Sequence, residues 1–281
     1  MSEVSDLRPS PIAGMWYSGN PDRLGREVDN YLKDARIPDL KGEVIAVIAP
    51  HAGHRYSGRT AGHAFRAIQG RPVDVAAVIS PSHVHYPKSI LSTAHQAYTT
   101  PLGPLWVDQP ALQRLAENLD QENLAVYKIA QDREHSLEIE LPFLQRALAG
   151  DFKLLPIMIS GKDHGAVEAL GHALAKTLRG RSAVMVASTD LSHFFPQPTA
   201  EKLDAEMLRQ IGAFSPEGVL KADDAGTGLA CGAAAVAAVL WAARDLGADA
   251  VEILHHSTSS DETGDTTSVV GYGAAAVLKR A

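Results

Sequence analysis

The chain has 281 residues, 45% of them apolar and 21% charged, with a formal net charge of −7. That balance is ordinary for a folded soluble protein. No stretch concentrates Lys and Arg, so no nucleic-acid partner held through its phosphates is expected.

Residues 21–32 read as a helix, with Asn20 placed to cap it and Pro21 at its first position. A strand at 43–49 runs into Ala49-Pro50-His51-Ala52-Gly53-His54, and a helix follows at 58–68. The theme repeats with a strand at 75–79 entering Ser80-Pro81-Ser82-His83-Val84-His85. A helix at 111–119 and a short strand at 124–129 come next. Leu137, Leu141, Leu144 and Leu148 have helical spacing and predict a helix over 134–148. A strand at 152–159, a helix at 166–178 and a strand at 182–187 lead into a third cluster, Ser188-Thr189-Asp190-Leu191-Ser192-His193. Helices at 199–211 and 229–243 precede two final strands, 250–256 and 269–277, which are candidates for antiparallel pairing. Alternating strands and helices predict one α/β domain over 1–281, a mixed, mostly parallel central sheet flanked by helices.

The single cysteine, Cys231, rules out an internal disulfide and fits a reducing, cytoplasmic setting. Residues 1–10 lack the apolar core of a signal peptide. The longest apolar run, 229–243, is Ala-rich and shorter than the ~20 residues a bilayer requires, so no membrane partner is expected.

The chemistry is carried by position. His51, His83 and His193 each follow an apolar strand, and open α/β sheets bind ligands beyond the carboxyl ends of their strands. Imidazole is both the commonest metal ligand and the usual acid/base near neutral pH. His51 and His83 are therefore candidate ligands of a divalent metal ion, and His193 with Asp190 a candidate acid/base pair. His54, Tyr56, His85 and Trp16 are expected to line the pocket. A helix starting near His135 would put His135 and Glu138 on one face, as support behind a ligand or as a further substrate contact. Cys231 sits where the helix dipole would favour thiolate; ligand, nucleophile and buried small hydrophobe all remain open for it. His63, His95, His164 and His172 are expected in solvent.

These segments, with Ala13-Gly14-Met15-Trp16-Tyr17, Tyr56-Ser57-Gly58, Leu141-Pro142-Phe143, Ala230-Cys231-Gly232 and Val269-Val270-Gly271-Tyr272, resemble the Memo family from end to end. Its prokaryotic members are also called AmmeMemoRadiSam system protein B. That family is similar in fold to class III extradiol dioxygenases, which hold Fe(II) with two histidines and a carboxylate and use another histidine as acid/base. The resemblance implies His51 and His83 as imidazole ligands, Cys231 in place of the glutamate, and His193 as the extra histidine. It implies Fe(II) as cofactor, with Cu or Zn as rivals because thiolate softens the site, and O2-dependent oxidation of a small organic, aromatic substrate. It also offers an alternative, since animal Memo proteins are linked to phosphotyrosine-peptide recognition: a non-catalytic module holding a small-molecule or peptide ligand in the same crevice. Two positions depart from the family pattern. His54 stands where a tyrosine is usual, and Val84 separates histidines that are often adjacent.

Overall fold

A computed structural model describes residues 6–130 and 132–280. The chain opens with β1 (Leu7–Arg8), α1 (Pro21–Asp34), β2 (Glu43–Ala49), α2 (His54–Arg66) and β3 (Val75–Pro81). Three short strands follow, β4 (Ile90–Thr93), β5 (Ala97–Thr100) and β6 (Gly103–Trp106), then α3 (Gln109–Asp120) and β7 (Val126–Ile129). The middle of the chain forms α4 (Leu141–Ala147), β8 (Lys153–Ile159), α5 (His164–Leu178), β9 (Ala183–Ser188) and β10 (His193–Phe195). It closes with α6 (Gln197–Gly212), α7 (Pro216–Asp224), α8 (Ala233–Asp245), β11 (Ala250–Thr258), α9 (Ser260–Thr263) and β12 (Val269–Lys279).

The centre of the large sheet is the parallel set β2-β9-β3-β8. β12 adds antiparallel to β2 and β4 antiparallel to β8, so the sheet is mixed. β10 and β11 both pair antiparallel with β12. All seven residues of β3 are buried, the pattern of a strand covered on both faces. Going from β2 to β3 the chain steps across the sheet one way; going from β8 to β9 it steps back. Right-handed crossovers in opposite directions put α2 and α5 on opposite faces. α8 packs on α5, and α1 on α2. A second small sheet joins β1, β5 and β6.

The mixed α/β fold with flanking helices is as expected, and Asn20 caps α1 through its side chain to the Arg23 N–H. One predicted helix is cut short. Instead of running over 134–148, the chain stays irregular to Leu137, makes a single 3-10 turn at Glu138–Glu140 and enters α4 at Leu141. Pro142 is tolerated only in a first turn, and the Glu134 carboxylate takes the backbone N–H groups of His135 and Ser136 in place of helical bonding. α8 likewise begins at Ala233, leaving Cys231 in the preceding loop.

Candidate metal centre

β2, β9 and β3 are adjacent and parallel, so their carboxyl ends open on one crevice. His51 leaves β2, His83 leaves β3, and Asp190 and His193 follow β9. The fourth wall comes from the loop before α8. Gly232 sits so close to β9 that a Cβ there would lie 2.3 Å from the Ser188 carbonyl. The absence of a side chain lets Cys231 reach the crevice. Its Sγ lies 3.1 Å from His51 Nε2, and ligand atoms of His51, His83 and Cys231 all fall within 4.8 Å of one another. Donors sharing one tetrahedral ion stand roughly 3–4 Å apart given bonds of about 2.0–2.3 Å, so small side-chain adjustments close the set.

Hydrogen bonding fixes the tautomers. The Ser188 hydroxyl donates its one proton to the Ser136 carbonyl at 2.7 Å. His51 Nδ1, 2.9 Å from the same oxygen, must then be the donor, and the Nε2 lone pair faces Cys231. His83 Nδ1 lies 2.9 Å from Glu134 Oε1, so it donates to the carboxylate and Nε2 is free. His193 Nδ1 donates to the Leu191 carbonyl at 2.9 Å, again leaving Nε2 as acceptor. Partners of this kind on the far nitrogen orient metal-binding imidazoles and raise their basicity.

Electrostatics follow burial. Loss of water pushes His51 well below its ordinary value, helped by the neighbouring charges of His83 and His135. Burial lowers His193 as well and takes His135 to about 4. The Glu134 carboxylate pulls His83 up. Burial lifts Asp190 to about 7, although the N–H groups of His51 and Ala52 favour its anion. The thiol of Cys231 is pushed up, not down, because burial and the nearby Asp190 carboxyl outweigh any helix dipole from a helix that starts two residues later.

Beside the loops that carry His51 and His193, a cavity of about 460 Å³ is bordered by Ala52, Gly53 and Phe194 and walled further by Met15, Trp16, Tyr56, Val270 and Tyr272. Trp16 lies over His135 with ring centroids 4.2 Å apart, and the rings of His135 and His83 stack at 4.6 Å. Trp16 and Tyr56 line this cavity, and His135 lies between Trp16 and His83.

Three expected contacts lie elsewhere. Glu138 is fully buried and faces Arg8, Ser10 and Tyr17, because no helix turns it toward His135. His54 packs among Tyr17, Tyr31 and Phe143 and donates Nε2–H to the Ile139 carbonyl, since α2 begins at His54 and turns it inward. His85 is exposed and makes no hydrogen bond or ring contact with the cluster. His95, expected in solvent, is buried and bonded to the Ala130 carbonyl. The residue that sequence reasoning missed is Glu134. Its signal lay in the same Glu134-His135-Ser136-Leu137-Glu138 run, where an assumed helix drew attention to Glu138.

Fold and site together define an α/β protein with a strand-end crevice where His51, His83 and Cys231 could hold a metal ion. The chain belongs to the Memo family: it matches the family described as Memo-like protein over residues 8–276. It is 31% identical over 273 residues to a MEMO1 family protein of Nitrosopumilus maritimus, covering 95% of this chain and 98% of the relative. A MEMO1 family protein of Methanothermobacter thermautotrophicus is 33% identical over 278 residues, with 95% and 98% covered. Among solved structures, an uncharacterized protein of Escherichia coli K12 matches 82% of this chain and 99% of its own with a TM-score of 0.51 at 17% identity. At that identity the likeness concerns the fold alone.

Proposed function

We propose that His51, His83 and Cys231 hold one metal ion, Fe(II) first with Cu or Zn as rivals, and that the crevice oxidises a small aromatic substrate with O2. The observation that carries this reading is the convergence of three donor atoms within 4.8 Å, two of them imidazole nitrogens whose lone pairs are set by hydrogen bonds behind them. Two imidazoles and a thiolate leave open positions, as do the two imidazoles and a carboxylate with which non-haem iron activates O2. Such an ion would supply the O2-reactive, Lewis-acidic centre.

The chain's own residues do the rest. His193 is neutral near pH 7 and its Nε2 accepts a proton from a substrate hydroxyl, the O–H bond breaking as N–H forms. Asp190 holds the His51 loop by accepting the N–H groups of His51 and Ala52 at 2.8 and 3.2 Å. Trp16, Tyr56 and Phe194 clasp a flat ring, in a cavity of about 460 Å³ that falls in the usual size range of small-molecule sites.

The exposure of the rim supports a second reading, a non-catalytic ligand or peptide module: Met15 and Phe194 are each 74% exposed. One experiment separates the two. Protein purified without O2 is assayed for metal beside His51→Ala, then for O2 uptake with a panel of catechols. One ion per chain that His51→Ala loses, with O2 uptake, supports the enzyme. Equal and negligible metal in both ends the metal reading, and metal without O2 uptake favours the module.

A further inference from the structure

We infer that Arg8, in the first strand of the chain, is a positioning residue for the candidate metal ligand His83, an inference that rests on the metal reading above. Arg8 is 1% exposed and its guanidinium spends its donors on one segment. Nε and Nη2 grip Asp132 at 2.7 and 2.9 Å as a fork, Nη1 donates to Glu138 at 2.5 Å, and Nη2 also donates to the Glu134 carbonyl at 2.8 Å. Tyr98 closes the other side, its ring centroid 4.7 Å from the guanidinium carbon. Asp132 in turn accepts the Glu134 N–H at 2.7 Å.

Glu134 is therefore pinned at both its backbone groups, N–H by Asp132 and C=O by Arg8. Its side chain then pins His83 twice, accepting the backbone N–H at 2.5 Å and the ring Nδ1–H at 2.9 Å. The same carboxylate accepts the N–H groups of His135 and Ser136. The segment carrying Glu134 is irregular, so no helix or strand fixes it. A guanidinium with two paired carboxylates is what holds it instead. A planar fork suits this role where a lysine ammonium does not, because the orientation of Asp132 depends on two parallel bonds.

Arg8 contacts none of His51, His83 and Cys231, so its effect must travel through Asp132 and Glu134. The test titrates Co2+ into the full chain and follows its thiolate charge-transfer and d–d bands. Arg8→Met and Asp132→Asn are each expected to weaken Co2+ binding by about 10- to 100-fold, the range seen when partners behind metal ligands are lost. Arg8→Lys recovers part of that loss. The double variant Arg8→Met/Glu134→Gln is expected to bind no worse than Glu134→Gln, because both changes cut one chain of contacts.

A purely structural role would lower the melting temperature and leave Co2+ affinity and bands at wild-type values; that result overturns the inference, as does additive loss in the double variant. If Arg8→Met does not fold, Arg8→Lys and Asp132→Asn decide by the same readout. Wild-type protein that takes up no Co2+ removes the metal reading and this inference together. Wild-type uptake matched by the variants removes the inference alone.

Discussion

The Sγ of Cys231 and the Nε2 of His51 are 180 residues apart in the chain and 3.1 Å apart in space. Asp190 braces the pair: its backbone N–H donates to Sγ at 3.3 Å, and its carboxylate holds the His51 backbone. A sulfur donor is thereby brought to an imidazole lone pair by a loop that passes β9 at a residue without a side chain.

That route gives the first prediction. In Gly232→Ala the new Cβ would meet the Ser188 carbonyl at 2.3 Å and the Thr189 side chain at 2.7 Å. Both belong to β9 or its exit and cannot yield cheaply, so the Cys231 loop must move. Overpacking of this kind costs about 1–3 kcal/mol. Denaturant melts are expected to show that loss, and metal titration a fall in affinity that approaches the one caused by Cys231→Ser, in which the donor itself is changed. Wild-type affinity in Gly232→Ala would show that the loop has freedom the packing denies it.

Glu134→Gln gives the second. The amide keeps the shape but presents a neutral group to His83 Nδ1 and can offer only one acceptor oxygen. Metal affinity is expected to fall about 10- to 100-fold, and the His83 pKa, now held up chiefly by that carboxylate, to fall. Titration of His83 by NMR in metal-free protein checks the second part independently of metal.

His54 supplies a pH prediction. Burial depresses it to about 4, below the value near 6.5 of an unfolded chain. Between those limits the unfolded state binds the proton and the folded state does not. The contribution is fully present above about pH 6.5 and is lost as pH falls towards 4, by roughly 3 kcal/mol at most. His54→Phe keeps an aromatic against Tyr31 and Phe143 and removes the titration. Urea midpoints at pH 7.5 and pH 4.5 are expected to differ less in His54→Phe than in wild type; equal differences would refute the assignment.

Phe194 is held with φ at 64° and is 74% exposed, a conformation that costs a side-chain-bearing residue about 1–2 kcal/mol. Strain kept at an exposed aromatic beside His193 points to use, not packing. Phe194→Asn, a residue that tolerates this backbone, is expected to raise the melting temperature slightly while weakening binding of flat aromatic ligands, measured by calorimetry. Unchanged ligand affinity would remove Phe194 from the rim's function.

The irregular segment around Glu134 marks where sequence reading fell short. Leucines at helical spacing described a helix over 134–148, but Pro142 and two side-chain-to-backbone contacts set its start at Leu141. The short strands β4, β5 and β6 carry four residues each, too few to show a period against the background. His54 was legible as unusual, yet its inward turn depends on where α2 begins.

Local order settled a good deal by itself. Apolar runs of five to seven residues ending in histidine clusters determine buried strands with imidazoles at their exits, because a fully covered strand needs an unbroken apolar stretch and its end is where polar groups can resume. Only the folded arrangement decided that the exits of β2, β9 and β3 are neighbours, that Cys231 reaches them from a loop and not a helix, and that Glu134, not Glu138, serves His83. Strand order and loop approach are set by contacts between residues far apart in the chain, and no local pattern of side chains encodes them.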